Sequence, residues 1–177
     1  MRIISGFHKG RKIIAPKKLP VRPTTDMAKE ALFNILNNRY YFEDISVLDL
    51  FAGTGNISYE FLSRGCTSVV AVESHYACIK FMNEIAEKLE LPLQTIKSDV
   101  FKYLEQSTQQ FDVIFADPPY DFSIENFVRI ADLVFENKLL SIDGSLIIEH
   151  SKHTDLSSTV HYVSSKNYGG SVFSFFK

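Results

Sequence analysis

The stretch V-L-D-L-F-A-G-T-G, residues 47–55, decides the fold. Val47, Leu48 and Leu50 are the apolar residues of a buried strand, and the two glycines let the backbone turn sharply or approach a ligand with no Cβ in the way. The chain continues as a helix over 56–63, whose free N–H groups point back at the turn. Strand, glycine turn and helix N-terminus together form a nucleotide-type pocket at the carboxyl end of a strand. Asp49 is a carboxylate inside an apolar run, a placement that calls for a use or a hydrogen bond at the strand end.

Outward from this stretch, strand-like and helix-like segments alternate. The pattern predicts strands at about 46–50, 68–73, 93–97, 111–116 and 144–149, with helices at about 56–63, 76–90 and 124–137. In the second helix Ile79, Met82, Ile85, Ala86 and Leu89 share one face and read as core. The tail breaks the alternation. T-V-H-Y-V-S-S and S-V-F-S-F-F flank K-N-Y-G-G, which predicts an antiparallel hairpin and brings the strand total to seven. The expected fold class is therefore α/β, a mainly parallel seven-stranded sheet with helices on both faces and a C-terminal antiparallel hairpin.

The N-terminal part reads differently. Ile3 and Ile4, a turn around His8-Lys9-Gly10, then Ile13 and Ile14 suggest a small β-hairpin that must pack on the domain or lie on a partner. Pro16, Pro20 and Pro23 punctuate a connector. A helix follows, with Thr25 or Asp26 as its cap, Ala28, Ala31, Leu32, Ile35 and Leu36 at helical spacing, and an end near Asn37-Asn38. The expected organisation is an appendage over 1–40 and a main domain over 41–177.

Length and composition set bounds. A chain of 177 residues with 45% apolar content buries one substantial core and is short for two ordinary domains with linkers. No apolar run reaches membrane-span length and the start lacks a secretory h-region, so a cytoplasmic protein is expected. Cys66 and Cys78 have no metal-ligand spacing and read as buried free thiols, so no metal is assigned. The net charge of −2 conceals an asymmetry, because residues 1–30 carry eight Lys/Arg against two Asp/Glu. A basic segment on an acidic domain suggests a polyanion-binding surface, with a solvated charged tail as the alternative.

Asp49, Glu73 and Asp99 fall where successive parallel strands should end, so their carboxylates are expected to converge on one crevice. Glu73 is suited to accept hydrogen bonds from two ribose hydroxyls. The strand F-D-V-I-F-A runs straight into D-P-P-Y, residues 117–120. Consecutive prolines cannot continue a central strand, so this is a rigid projection flanked by a carboxylate and an aromatic ring. Such a projection suits methylation of an exocyclic amino group on a nucleobase. The Asp117 carboxylate and the Pro118 carbonyl would hold the N–H groups while Tyr120 stacks on the base.

Residues 47–55 and 111–120 resemble two motifs of class I S-adenosylmethionine-dependent amino-methyltransferases, which have a Rossmann-like fold. The pieces G-F-H-K-G-R, R-P-T-T-D, E-A-L-F-N-I-L and L-S-R-G, in that order, narrow the resemblance to the bacterial RsmD family, which methylates N2 of a guanine in 16S ribosomal RNA. The resemblance covers essentially the whole chain. It implies S-adenosylmethionine as cofactor, held by Asp49, Phe51, Gly53, Gly55, Glu73, Ser74, Asp99 and Val100, with Asp117, Pro118 and Tyr120 catalytic. It also implies an RNA-facing N-terminus using Lys9, Arg11, Lys12 and Arg22, a small-subunit substrate partly or fully assembled, and a monomer. Two departures from the family pattern are Met27, where a basic residue is usual, and Lys29, where arginine is frequent. K-N-Y-G-G is only loosely like the family's R-x-Y-G, and no site is placed there.

Three other readings compete with this one. In a dinucleotide-binding dehydrogenase the third glycine of the fingerprint would be Ser58, and D-P-P-Y would have no role. A DNA amino-methyltransferase shares D-P-P-Y but normally needs a target-recognition region for which this chain has no spare length. A non-catalytic RNA- or nucleotide-binding module would be expected to have lost motif residues, whereas Asp49, Gly53, Gly55, Glu73 and Asp117 are all present.

Overall fold

The computed structural model describes residues 1–16, 19, 25–119 and 121–177. Seven strands form one sheet: β1 (Ser46–Leu50), β2 (Ser68–Glu73), β3 (Leu93–Lys97), β4 (Phe111–Ala116), β5 (Leu140–Ser151), β6 (Tyr162–Tyr168) and β7 (Ser171–Phe176). Their order is β3-β2-β1-β4-β5-β7-β6, parallel from β3 to β5, with β7 antiparallel to both its neighbours. The strand order reverses between β1 and β4. Loops leaving the carboxyl ends of those two strands diverge, which opens a crevice there. The C-terminal hairpin and all seven strands agree with the expected class.

Among the described residues five α-helices cover the sheet: α1 (Asp26–Asn37), α2 (Asn56–Ser63), α3 (Tyr76–Lys88), α4 (Val100–Gln106) and α5 (Ile124–Glu136). Strand parity assigns them to faces. Leu48, Leu50, Val70, Val72, Leu146 and Ile148 point towards α4 and α5, meeting Leu104, Phe127, Ile130 and Val134. Val47, Val69, Val113, Phe115 and Ile147 point the other way and pack on Leu32, Phe33 and Leu36 of α1 and Ile57 and Phe61 of α2. Each such side chain, once fully buried, contributes roughly 1.5–3 kcal/mol. Phe33 and Phe61 meet edge to face at 4.6 Å, with the Arg64 guanidinium 4.7 Å above the Phe33 ring.

The N-terminal segment departs from a regular hairpin. One bridge joins Arg2 and Lys12, and Ile3 donates to the Arg11 carbonyl while Gly10 donates to that of Ile3. Ile3 and Ile13 are buried against Tyr59, Ala71, Ile79 and Met82, whereas Ile14 is exposed. The segment therefore packs on the domain. α1 begins at the predicted cap, with Thr25 Oγ1 accepting from Ala28 N–H, but its buried set includes Lys29 and Phe33 in place of Ala31 and Ile35.

Two further expectations need correction. Helix α4 is absent from the sequence prediction, because its seven residues are too few for a helical period to separate from a strand-like run. Strand β5 starts at Leu140, four residues early, because the register shifts between Phe111 and Val113 and the chain bulges through Asp143 at φ 64°.

Candidate active site

A cavity of about 870 Å³ opens at the β1/β4 switch point. Its floor is the end of β1, where Phe51 takes the left-handed conformation (φ 58°), Gly53 and Gly55 follow at φ 55° and 82°, and α2 begins. Gly55 is required on two counts. Its φ disfavours any L side chain, and a Cβ there would lie 2.7 Å from the Tyr59 ring, which is fully buried. The turn is tied to β2 through a carboxylate. Glu73 Oε2 accepts from Gly53 N–H at 2.9 Å and Oε1 accepts from His75 N–H at 2.8 Å, which fixes Glu73 at the cavity wall.

Asp49 is held from the opposite side. Its Oδ2 accepts from the Ser58 hydroxyl at 2.5 Å and from Ser58 N–H at 3.2 Å, so the strand-end carboxylate is bonded to the first turns of α2. Burial pushes its pKa up to about 7, the Ser58 bonds oppose that shift, and the nearby Glu73 charge adds to it. Desolvation therefore outweighs two hydrogen bonds. The same burial raises the Tyr59 phenol, whose hydroxyl has no hydrogen-bond partner among the described residues.

Of the residues expected to hold a cofactor, Asp49, Phe51, Gly53, Glu73 and Ser74 line the cavity. Gly55 lies behind the lining, where it shapes the turn. Asp99 and Val100 are not among the lining residues described. Asp99 caps α4, its Oδ1 accepting from Lys102 N–H at 3.0 Å, because the chain turns into a helix in a stretch to which the sequence reading gave no element. The three-carboxylate convergence thus holds for Asp49 and Glu73. Ser98 N–H donates to the Glu73 carbonyl at 3.1 Å, which keeps the start of α4 beside the end of β2.

The end of β4 supplies the opposite wall. Asp117, Pro118 and Pro119 line the cavity, Pro118 is buried, and Phe122 N–H donates to the Pro119 carbonyl at 3.0 Å to close a turn. Beneath it Phe122 packs on Phe51 at 5.5 Å, on Phe101 at 6.0 Å and on Phe127 at 5.1 Å. This aromatic stack joins the turn after β1 to the turn after β4. Tyr120 and Arg22 lie outside the described residues.

Several lining residues escape the sequence reading. Thr25 and Met27 come from the start of α1, Asn56 from α2, Glu149 from β5, and Tyr168, Gly170 and Ser171 from the β6–β7 turn. A Cβ on Gly169 would come 3.2 Å from Met27 Cε, so this turn meets α1 over the cavity. The K-N-Y-G-G segment, given no site from sequence, therefore closes one side of it. Its similarity to the family's R-x-Y-G was a signal that could have found it.

At the N-terminus Lys9, Arg11 and Lys12 are exposed, beside an exposed Phe7. Lys29 is not part of that charged surface. It is buried, with Nζ 3.3 Å from Glu60 Oε2, and it donates to the Arg2 carbonyl at 2.6 Å and to Asn56 Oδ1 at 2.9 Å. Glu60 in turn accepts from Ile4 N–H, Ser5 N–H and Arg64 Nε. Burial lowers the Lys29 pKa, and the Glu60 charge opposes that shift. This network joins the N-terminal segment and α1 to Asn56 at the cavity wall.

Among the described residues no His/Cys/Asp/Glu cluster has the makings of a metal site, and no helix is long and apolar enough to cross a membrane. Cys66 and Cys78 are buried and free.

Comparison with known proteins follows the same lines. The family described as "Conserved hypothetical protein 95" matches residues 1–177. A Bacillus subtilis protein, YlbH, provisionally named an rRNA methyltransferase, is 34% identical over 165 residues, covering 90% of this chain and 88% of that protein. The ribosomal RNA small subunit methyltransferase D of Haemophilus influenzae is 32% identical over 168 residues, covering 88% and 81%. Among solved structures, the Thermus thermophilus 16S rRNA N2 G1207 methyltransferase, in complex with AdoMet and guanosine, shares the fold. Its TM-score is 0.70 at 22% identity, over 90% of this chain and 45% of that one.

Proposed function

The chain belongs to the RsmD family, the family described as "Conserved hypothetical protein 95", and from that premise we propose that it transfers a methyl group from S-adenosylmethionine to N2 of a guanine in small-subunit ribosomal RNA. The observation that carries the reading is the single cavity wall-to-wall between Glu73 and Asp117. It sets a strand-end carboxylate and a positive-φ glycine turn opposite a rigid D-P-P projection.

The residues present fit the cofactor. A carboxylate has about four acceptor sites, so Glu73 keeps capacity for a ribose hydroxyl beyond the bonds from Gly53, His75 and Ser74 that hold it in place. Asp49, when ionised, supplies negative charge for a cationic ligand. Phe51 and Ser74 flank the same wall, and Gly53 and Gly55 keep the turn free of side chains. Asp99 and Val100, outside the described lining at the start of α4, would stand towards the adenine end in this proposal. When bound, S-adenosylmethionine supplies the electrophilic methyl.

The remaining chemistry belongs to the substrate-side wall. The guanine amino group is planar and weakly nucleophilic because its lone pair is delocalised into the ring. The Asp117 carboxylate accepts one N2–H and the Pro118 carbonyl the other, which turns the lone pair towards the methyl. N2 would gain the new C–N bond as the methyl's bond to the cofactor sulfur breaks and S-adenosylhomocysteine leaves, and it would shed a proton that Asp117 can accept. Tyr120 stacks on the base once it leaves the RNA stack. Holding the nitrogen in line in this way is worth about a hundredfold or more in rate.

Lys9, Arg11, Lys12 and Arg22 contact phosphates in this account, supported by the exposure of the first three. The substrate is a partly or fully assembled small subunit, the protein acts as a monomer, and the reaction takes place in the cytoplasm. The test uses ribosomal RNA and small subunits from cells lacking this protein. They are incubated with tritium-labelled cofactor and the modified base is mapped. Label on guanine N2 supports the proposal, and label on another atom or none refutes it.

A further inference from the structure

We propose that Glu149 reads the N1–H of the target guanine, making it the residue that selects guanine at this site; the inference rests on the guanine-N2 reaction above. Three observations converge on it. Glu149 lines the cavity shared with Asp117 and Pro118 while being only 7% exposed, so it is a carboxylate largely removed from bulk water in a site built to take a base. The parallel β4/β5 register runs Phe115↔Ile147 and Ala116↔Ile148. One further step along that register would bring Glu149 level with Asp117, just past the carboxyl end of β4 and beside the cavity that both line. Parity gives Glu149 the face of Ile147, the α1/α2 face, which it shares with Phe115 and Asp49.

The chemistry of the bases supplies the rest. Guanine presents two adjacent donors on its Watson–Crick edge, N1–H and N2–H, and a carboxylate pair is an acceptor-only surface matched to them. Adenine and cytosine carry a ring acceptor beside the amino group, which would face a carboxylate lone pair to lone pair. Asp117 engages N2 and Glu149 takes N1–H, so the correct base satisfies the half-buried Asp117 and the buried Glu149 together, and a wrong base leaves Glu149 opposed. Glu149 has interactions within the fold, which hold it in place.

The test uses full-length protein and small-subunit RNA assembled by ligation with guanine, 2-aminopurine or 1-methylguanine at the mapped target. All three keep the N2 amine, and the latter two lack N1–H. Wild-type protein is expected to prefer guanine by about 10⁴-fold in kcat/KM, the scale of a site that reads a hydrogen-bonding group. Glu149→Gln, whose amide can donate to the ring nitrogen of 2-aminopurine, should narrow that preference about tenfold or more. Cofactor affinity by calorimetry should be unchanged. Equal loss on guanine and 2-aminopurine would make Glu149 a structural residue and overturn the proposal. The wild-type arm stands even if the variant does not fold, since equal rates on guanine and 1-methylguanine overturn the proposal by themselves. A wild-type protein that methylates no guanine N2 refutes the reaction itself, an outcome distinct from an active enzyme indifferent to N1–H.

Discussion

Asp49→Asn isolates the electrostatic cost of the site. The Asp49 carboxyl is pushed up to about 7 from an ordinary 3.8, with burial the largest cause, the Ser58 bonds opposing and Glu73 adding. A folded state that holds the proton more tightly than the unfolded chain is favoured at low pH. Its advantage drains away as pH rises from about 3.8 through about 7, and then levels off. Three units at ~1.4 kcal/mol each give about 4 kcal/mol lost by pH 8, of which about 2.5 kcal/mol falls between pH 5 and pH 8. Asparagine keeps an oxygen to accept from Ser58 and carries no charge. Urea unfolding at pH 5 and pH 8 should therefore show the variant gaining on wild type by roughly 2–3 kcal/mol across that interval. Calorimetry should show the functional cost, a loss of affinity for cationic S-adenosylmethionine larger than for neutral S-adenosylhomocysteine. A stability difference independent of pH would refute the argument that burial leaves Asp49 titrating near neutrality.

Gly55→Ala combines a positive φ with a Cβ 2.7 Å from the Tyr59 ring, and should cost about 2–5 kcal/mol. Gly10→Ala, at the same φ of 82° with nothing within 4 Å, should cost about 1–2 kcal/mol, so the denaturation midpoints of the pair separate crowding from backbone strain. Lys29→Met removes the amine that joins the Arg2 carbonyl, Asn56 and Glu60. With Arg64 still beside Glu60, the expected loss is about 3 kcal/mol, read by urea unfolding. Replacing Lys9, Arg11 and Lys12 together by Ala should weaken RNA binding and flatten its log–log salt slope by about 2–3, measured by filter binding. An unchanged slope would make these charges a solvated surface.

The sheet was legible because its central strands are short, continuous apolar runs separated by turns and helices. Val47, Leu48 and Leu50, and later Val113, Ile114 and Phe115, are buried on both sides, and the glycines after β1 stand where a positive φ is needed. The wall proposed to hold the cofactor was legible for the same reason, since Asp49 and Glu73 lie at the ends of adjacent parallel strands. What escaped were features set by tertiary packing. Lys29 looks like one more cation in a basic segment until Glu60 and Asn56 come within reach from a helix that begins 27 residues later. Glu149 reaches the cavity through the β4/β5 register, and Tyr168 because β7 runs antiparallel beside β5, a pairing that brings the β6–β7 turn over the site. Helix α4 is decided by the Asp99 cap and by burial of Val100 and Leu104, with too few residues to show a period.

The account stands most directly on Asp117. The decisive measurement is labelled methyl transfer to small subunits from cells lacking the protein, with base mapping, comparing wild type with Asp117→Ala while cofactor affinity is followed in parallel. Wild type should place the methyl on guanine N2, and the variant should bind cofactor as before while turning over about a hundredfold more slowly or worse. An Asp117→Ala protein that methylates the same nitrogen at the wild-type rate would contradict the account.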